Sequence, residues 1–521
     1  MAWSRQREYP QQVSTQRDAP DSEELPWPQR SAGVLLHPSS LPGRFGIGDI
    51  GPEAHRFAEL LSRSGQRLWQ VMPLGPTGPG NSPYAARSSF AGSPLLISPE
   101  GLVADGLADA GDVGEPTGLP EGRIDFEAVA RWKEGLFRRA FGRFDRRRAP
   151  GAEEFFEGSA GWLPDYALYM AIRNHDRRAW SDWTRELAAR EPRALADARQ
   201  RLKDEIAFQE FLQWAFWRQW RSLKAHCNGL GLGIFGDIPI FVALDSADVW
   251  ANQRIFRLTE GGLPEVVTGV PPDAFAATGQ RWGNPHYRWD VLRDEGYGWW
   301  IERLRHTLEM VDLLRIDHFR GFEAAWEVPA HEETAMNGSW VAGPGRNFFD
   351  RAGEALGRLP IVVEDLGIIT RKVRALRDEL GYPGMKVLQF AFGDDARNPY
   401  LPHNYPANCV VYTGTHDNDT TAGWYAALGA SEQDRVRRYV ASDGSDIVSD
   451  LIRVAYSSVA EIAVVPMQDV LLLGSEARMN VPGEGEGNWG WRFRAGQLDQ
   501  GRMAWLRDLA VTYGRLPGVA R

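Results

Sequence analysis

Short apolar runs recur along the chain, and most are separated by stretches with the spacing of amphipathic helices. Residues 51–64 place apolar side chains on one helical face, and residues 370–380 are predicted to form another such helix. Apolar strands that alternate with helices are typical of a parallel sheet buried on both faces. We predict eight strands, within residues 33–38, 68–74, 231–242, 311–321, 359–366, 385–392, 409–417 and 462–469. Eight such strands with helical crossovers predict an α/β fold, the (β/α)8 or TIM barrel.

Two long segments interrupt this alternation. Residues 93–228 follow the second strand and carry mainly helical patterns, so we predict a helical insertion there. Residues 243–300 follow the third strand and are dense in glycine, proline and aromatic residues. Long loop-rich segments of this kind are usually lids or binding loops, although a structural Ω-loop is the alternative. Residues 1–27 are polar and predicted to be a disordered tail, which leaves 28–521 as a single catalytic barrel domain with both insertions.

The composition of the chain argues against several classes of protein. The formal net charge is −10, from 69 acidic and 59 basic residues, which does not suit a protein that follows nucleic-acid phosphates. The two cysteines, Cys227 and Cys409, provide no disulfide framework, and we predict buried thiols in a reducing cytoplasm. Residues 1–27 lack the apolar core of a secretory signal, and no apolar run reaches membrane length. We therefore expect a cytoplasmic protein without nucleic-acid or membrane partners.

Carboxylates stand at the ends of three predicted strands. Asp317 follows the fourth strand, Glu364 the fifth and Asp417 the seventh. The carboxyl ends of barrel strands meet at one rim, where the active sites of this fold lie. Their neighbours Arg315 and His416 add further ionisable groups, and a structural core rarely buries so many. A single acid at a strand end is most simply explained by a salt bridge, but three such acids favour a catalytic site.

Metal binding is an alternative use of acids on a barrel rim. The run from Asp417 to Thr420 superficially resembles a calcium loop. A calcium loop needs glycine at its sixth position and glutamate at its twelfth, where this chain has Ala422 and Leu428. Acid/base and nucleophilic work therefore suits these carboxylates better than calcium binding.

The neighbours of each carboxylate suggest its role in glycoside chemistry. Arg315 shares a strand face with Asp317 and would keep that carboxylate ionised, as a nucleophile requires. Glu364 follows an apolar approach, which favours a raised pKa and a proton donor. Asp417 remains to hydrogen-bond sugar hydroxyls and stabilise positive charge in the transition state. The chain also has 21 Trp, and indoles stack well on sugar faces, although most large aromatic residues fill cores. Three aromatic residues in predicted loops are candidates for stacking glucose units: Tyr84, Phe275 and Trp282.

Three motifs resemble those of glycoside hydrolase family 77, the 4-α-glucanotransferases of the α-amylase clan. They are RIDHFR at residues 315–320, VVEDLG at 362–367 and GTHDND at 414–419. Further matching segments are residues 35–42, 81–84, 236–242, 245–250, 279–285 and 488–492. The resemblance runs from about residue 33 to the C-terminus. It implies a retaining double displacement in which Asp317 is the nucleophile, Glu364 the acid/base and Asp417 the transition-state stabiliser.

The same resemblance implies a set of substrate contacts and partners, and it implies neither a metal ion nor an organic cofactor. The expected partners are maltooligosaccharides and α-glucans derived from amylose or glycogen, bound by a monomer or weak homodimer. An α-1,4-glucan hydrolase of the same clan is the main alternative, and a non-catalytic glucan-binding barrel is a second. The residues expected to contact glucan are Tyr84, Asp245, Asp273, Phe275, Gln280, Trp282, Asn284, Arg315, His318 and His416.

Overall fold

The computed structural model describes residues 30–111, 113–114, 116–272 and 276–516. The predicted tail, residues 1–27, lies outside these residues. Twelve strands are present in the described part of the chain. They are β1 (Ser31–Leu35), β2 (Leu68–Gln70), β3 (Gly233–Pro239), β4 (Val266–Val270), β5 (Gln280–Pro285), β6 (Leu313–Asp317), β7 (Ala324–Pro329), β8 (Ser339–Ala342), β9 (Ile361–Val363), β10 (Gly384–Val387), β11 (Cys409–Tyr412) and β12 (Ile462–Pro466).

Eight of these strands close a parallel barrel, which confirms the predicted fold. Its order is β1-β2-β3-β6-β9-β10-β11-β12, and β12 pairs back onto β1. Each barrel strand overlaps one of the eight apolar runs in the sequence. The structural strands are shorter than the runs, because each run continues into the loop at the carboxyl end of its strand.

Helices surround the barrel and fill the first insertion. Those in the described chain are α1 (Pro52–Arg63), α2 (Pro99–Ala104), α3 (Phe126–Phe141), α4 (Ala152–Gly158), α5 (Leu163–Asp176), α6 (Arg185–Ala188), α7 (Pro192–Arg201), α8 (Lys203–Gly229), α9 (Ala247–Ala251), α10 (Trp289–Asp294), α11 (Gly298–Met310), α12 (Arg346–Leu356), α13 (Arg371–Leu380), α14 (Thr421–Ala427), α15 (Ala430–Val440), α16 (Ile447–Ser457), α17 (Met467–Val470) and α18 (Gln500–Thr512). Helices α2 to α8 form the segment between β2 and β3. The crossover from β10 to β11 has only short 3-10 turns in place of an α-helix. Among the helices of the described chain, none combines the length and apolarity that a membrane crossing requires.

The alternation of side chains along β6 shows how the barrel positions its charged groups. Leu314 and Ile316 belong to the large core between strands and helices, whereas Leu313 belongs to a smaller cluster inside the barrel. Successive side chains on a strand point to opposite faces, so Arg315 and Asp317 share the interior side with Leu313. The barrel interior is therefore apolar at its base and ionic at the carboxyl end.

A second, antiparallel sheet lies beyond the third and fourth barrel strands. Its order is β5-β4-β7-β8, so it combines two strands from the segment 243–300 with two from the segment after β6. The sequence predicted only a loop-rich insertion here, and the four strands were missed. The reason is that β4 pairs with β7 across about sixty residues of chain, a contact that no local pattern encodes.

Candidate active site

A cleft of about 1490 Å³ opens at the carboxyl ends of the barrel strands. The structure brings ten of the thirteen predicted site residues into its lining. Two others, Asp273 and Phe275, lie outside the described residues, and Asp245 is not among the lining residues. The ten residues are Tyr84, Gln280, Trp282, Asn284, Arg315, Asp317, His318, Glu364, His416 and Asp417.

Arg315 occupies the centre of the ionic groups. Its Nη2 donates to Asp317 Oδ1 at 2.7 Å, and its Nη1 donates to Asp237 Oδ2 at 2.6 Å. The guanidinium is buried, and burial alone would lower its pKa, but the two carboxylates raise the pKa of Arg315 above its ordinary value. The charged guanidinium thus fixes the orientation of the Asp317 carboxylate through a charge-assisted hydrogen bond.

Asp237 is a functional candidate that the sequence analysis missed. It is buried on β3, directly opposite Arg315 in the parallel register, and it accepts a hydrogen bond of 2.8 Å from the Tyr84 hydroxyl. Asp237 therefore joins Tyr84 to Arg315. Asp237 could have been predicted in the same way as the other acids, because it is a carboxylate near the end of an apolar strand.

Glu364 directly follows β9, and backbone amides hold both of its carboxylate oxygens. The amide of His318 donates to Oε2 at 2.8 Å, and the amide of Leu366 donates to Oε1 at 2.6 Å. Burial, with the nearby charge of Asp317, raises the pKa of Glu364 to about 7. A carboxyl group with this pKa can both give and take a proton near neutrality, which suits an acid/base.

The pKa of Glu364 predicts how transfer depends on pH. The protonated acid is required to start the reaction, and raising the pH above about 7 removes that proton. We expect kcat/KM for glucan transfer to fall above pH 7, approaching roughly a tenfold loss per pH unit. Initial rates with maltotriose from pH 5 to 9 check this. A flat profile up to pH 9 would contradict the assignment, and the Glu364→Gln variant should lack this limb.

His318 adopts a left-handed backbone conformation between β6 and the following turn. Its φ is 53°, which is uncommon for a residue other than glycine. This conformation accompanies the amide hydrogen bond from His318 to Glu364. Burial lowers the pKa of His318 to about 3, so the imidazole is neutral. Its ring centroid lies 4.7 Å from that of Trp282, and the two ring planes are nearly perpendicular. Strain of this kind is often found at functional sites.

Asp417 lies on the opposite side of the site, in the loop after β11. Asn480 Nδ2 donates to its Oδ1 at 2.6 Å, and His416 Nε2 lies 3.4 Å from the same oxygen. Arg478 Nη2 holds the backbone carbonyl of Asp417 at 2.8 Å. Neither Asn480 nor Arg478 could be predicted from the sequence, because each contacts Asp417 across more than sixty residues. The segment after β12 therefore orients Asp417.

Aromatic rings form one wall of the cleft. Tyr84 and His416 stack with centroids 5.0 Å apart, and Trp489 contacts both rings at 5.8 Å. Burial lowers the pKa of His416, so this imidazole is also neutral. Trp282 remains 40% exposed, and its Nε1 donates to Gln280 Oε1 at 3.2 Å. The cleft thus presents both flat apolar surfaces and hydrogen-bonding groups, the combination that sugar rings require.

Asp245, which the resemblance predicts to contact glucan, is held by three protein side chains in this structure. Its carboxylate accepts hydrogen bonds from Arg87 at 2.8 Å, from Tyr169 at 2.7 Å and from Arg173 at 3.2 Å. Burial opposes ionisation, but these donors outweigh it and lower the pKa of Asp245. Since Tyr169 and Arg173 belong to α5, Asp245 connects the helical insertion to the loop after β3. Asn284, in contrast, lines the cleft and accepts from Thr268 Oγ1 at 3.3 Å.

Four carboxyl groups and one arginine form the chemical core of this site, and they suit acid/base and nucleophilic work. In the described part of the chain, no three His, Cys, Asp or Glu side chains are grouped to hold a metal ion. A family model described as 4-alpha-glucanotransferase matches residues 36–498. The chain belongs to glycoside hydrolase family 77.

Comparisons with individual relatives agree with this assignment. The 4-alpha-glucanotransferase of Thermus thermophilus is 50% identical over 506 residues, which cover 95% of this chain and all of the relative. The Synechocystis 4-alpha-glucanotransferase is 48% identical, with 94% of this chain and 98% of the relative covered. Among solved structures, an amylomaltase from Streptococcus agalactiae in complex with acarbose superposes with a TM-score of 0.91 at 36% identity. That match covers 93% of this chain and 99% of the other.

Proposed function

We infer that this protein is a 4-α-glucanotransferase, which moves a segment of an α-1,4-glucan to the 4-hydroxyl of another sugar. The observation that carries this conclusion is the cleft itself, which is lined by Arg315, Asp317, Glu364 and Asp417 in a chain half identical to a 4-alpha-glucanotransferase. The family match over residues 36–498 supports the same activity. The α-1,4-glucan hydrolase alternative has less support, because the relatives compared above are named as transferases or as amylomaltase.

The first half of the proposed reaction forms a covalent intermediate. The Asp317 carboxylate attacks the anomeric carbon, while Glu364 gives its proton to the leaving glycosidic oxygen. The C–O bond to the leaving sugar breaks, and that sugar departs with its new hydroxyl. Ile316 pairs with Val363 in the barrel, so Asp317 and Glu364 stand at adjacent positions on strands about 4.8 Å apart. Side chains at adjacent positions on neighbouring strands can reach the carboxyl separation of about 5–5.5 Å that a retaining pair requires.

The second half of the reaction transfers the glucan. Once Asp317 is esterified, its negative charge is gone, and the proton affinity of Glu364 falls because that charge had raised it. Glu364 then takes the proton from the 4-hydroxyl of an acceptor, whose oxygen attacks the anomeric carbon and releases Asp317. In both halves positive charge develops on the sugar ring, and the carboxylate of Asp417 stabilises it.

The dimensions of the cleft favour an oligosaccharide over a single sugar. Its volume of about 1490 Å³ exceeds the range of roughly 300–1,000 Å³ that is usual for small-molecule sites. We propose maltooligosaccharides and longer α-glucans from amylose or glycogen as donors and acceptors. Both cysteines are free and buried, which fits a reducing cytoplasm. A monomer or weak homodimer remains part of this proposal.

Incubation with pure maltotriose tests the proposed function. Transfer yields glucose together with a ladder of maltooligosaccharides longer than the substrate. Hydrolysis yields only shorter sugars, so the absence of longer products would overturn the proposal in favour of a hydrolase. A non-catalytic barrel would leave maltotriose unchanged.

Trp282 is expected to influence which acceptor receives the glucan. It is exposed at the cleft beside His318, where it can stack an incoming sugar and exclude water from the intermediate. We expect Trp282→Ala to raise the ratio of hydrolysis to transfer by roughly three- to tenfold, the value of one aromatic contact. The measurement is the proportion of glucose to longer products from maltotriose. Trp282→Phe, which keeps a ring, is the control, and an unchanged ratio in Trp282→Ala would count against this role.

A further inference from the structure

The small antiparallel sheet carries an exposed aromatic residue outside the cleft. Of the tryptophans that the structure describes, only Trp282 and Trp340 are exposed, at 40% and 41%. Trp282 lies in the cleft on β5, whereas Trp340 lies on β8, at the other edge of the same sheet. Val341 and Met336 beside it are also exposed. A group of exposed apolar side chains on a folded surface can mark an interaction site, and this group includes a large indole.

The indole of Trp340 is held in a fixed orientation. The guanidinium of Arg320 lies 3.8 Å from the ring centroid, and Trp326, its cross-strand partner, meets it at 5.2 Å with planes inclined by 63°. Trp326 is itself anchored, since its Nε1 donates to the carbonyl of Ala335 at 2.9 Å. A ring held in this way loses little conformational freedom when a ligand binds.

Arg320 connects Trp340 to the wall of the cleft. Arg320 Nη1 donates to the carbonyl of Ile368 at 2.6 Å, and Ile368 lines the cleft while its side chain is 61% exposed. One arginine therefore contacts the face of Trp340 and also holds a residue of the cleft rim. Trp340 is therefore connected to the rim of the cleft through a single side chain, that of Arg320.

We propose that Trp340 is a remote binding platform for α-glucan, which stacks a glucose unit of a long donor or acceptor beyond the cleft. This proposal rests on the proposed function, because it assigns a further site for the same substrate class. Flat aromatic surfaces pack against the apolar faces of sugar rings, and the adjoining cleft supplies the chain. A short oligosaccharide that fits within the cleft does not extend to Trp340.

A second copy of this protein is the other occupant to consider for this surface. Strand β8 is a sheet edge, and such edges can pair between chains. A stable interface buries about 800 Å² on each partner. The exposed apolar residues at this edge are few, and the observed continuity is with the cleft, so the glucan is favoured.

The experiment compares long and short substrates in the Trp340→Ala variant. We expect the ratio of kcat/KM on amylose to kcat/KM on maltotriose to fall roughly fivefold, the value of one stacking contact. Trp340→Tyr should restore most of this ratio. Val459→Ala is the matched control, because Val459 is also an exposed apolar residue but precedes β12 at the opposite end of the barrel. An unchanged ratio, or an equal loss on both substrates, overturns the proposal.

A binding measurement separates this proposal from the proposed function. Co-sedimentation with insoluble amylose is measured in an Asp317→Asn background, so that it does not depend on turnover, and Trp340→Leu serves if the alanine variant does not fold. We expect the Trp340 substitution to weaken amylose binding roughly fivefold. If the wild-type protein makes no maltotriose ladder but amylose binding still requires Trp340, the proposed function fails and the platform stands. If the substitution instead changes the oligomeric state in size-exclusion chromatography and leaves amylose binding intact, the surface is a subunit interface and the platform is excluded.

Discussion

Replacement of Asp317 by asparagine is expected to lower kcat for glucan transfer by about 10⁴-fold or more, as in other enzymes that lose their nucleophile. The amide keeps the shape of the side chain and can still accept a hydrogen bond from Arg315, so glucan affinity should change little. An uncharged amide is a poor nucleophile, and no covalent intermediate forms. The measurement is kcat on maltotriose together with amylose binding by the same variant.

Two comparisons make the test of Asp317 specific. Asp312 lies in the same segment but faces away from the site, where it pairs with Lys224 and accepts from the amide of Ile234 at 2.8 Å. Asp312→Asn should therefore leave kcat within about twofold of the wild-type value. It should lower the free energy of unfolding, because it weakens the ion pair with Lys224. In Asp317→Gly, added azide occupies the space of the missing carboxylate and should form a β-glucosyl azide. Near-normal transfer by Asp317→Asn would show that Asp317 is not the nucleophile.

Replacement of Glu364 by glutamine is expected to lower kcat on maltotriose by about 10³-fold, within the range for loss of a general acid/base. The glutamine cannot protonate the glycosidic oxygen, and it cannot accept the proton of the acceptor hydroxyl in the second step. An α-maltosyl fluoride needs no proton to release its leaving group, so the first step should proceed with this donor. We therefore expect the covalent intermediate to accumulate, and mass spectrometry should find the added sugar on the peptide that contains Asp317.

The outcome with the fluoride donor shows whether Glu364→Gln is inactive because it lacks the acid/base or because it is misfolded. A variant that is merely misfolded would form no intermediate with any donor. Glu323→Gln is the matched control. Glu323 directly follows the 3-10 turn Phe319–Phe322 after β6, but it does not line the cleft. It should retain kcat within about twofold. If Glu364→Gln lost activity equally with maltotriose and with the fluoride, without any trapped sugar, Glu364 would not be the acid/base.

The barrel and its three catalytic candidates could be predicted from the sequence for a simple physical reason. Strands buried on both faces must be apolar along their length, and a charged residue at the end of such a strand is therefore conspicuous. Asp317 and Glu364 directly follow Ile316 and Val363, so their positions are set by neighbouring residues. Asp417 stands a few residues after its strand and was found in the same way.

The remaining features depend on contacts between distant parts of the chain. The four-stranded sheet forms because β4 meets β7, and β5 has no apolar pattern that would reveal it. Asp237 acquires its role from Arg315, and Asp417 is oriented by Asn480, each through a hydrogen bond across more than sixty residues. By itself, the sequence determined the barrel and the acids at its rim, because local apolar patterns encode strands. The tertiary structure decided which groups surround each acid and which aromatic side chains stay exposed, because those contacts exist only once the chain has closed.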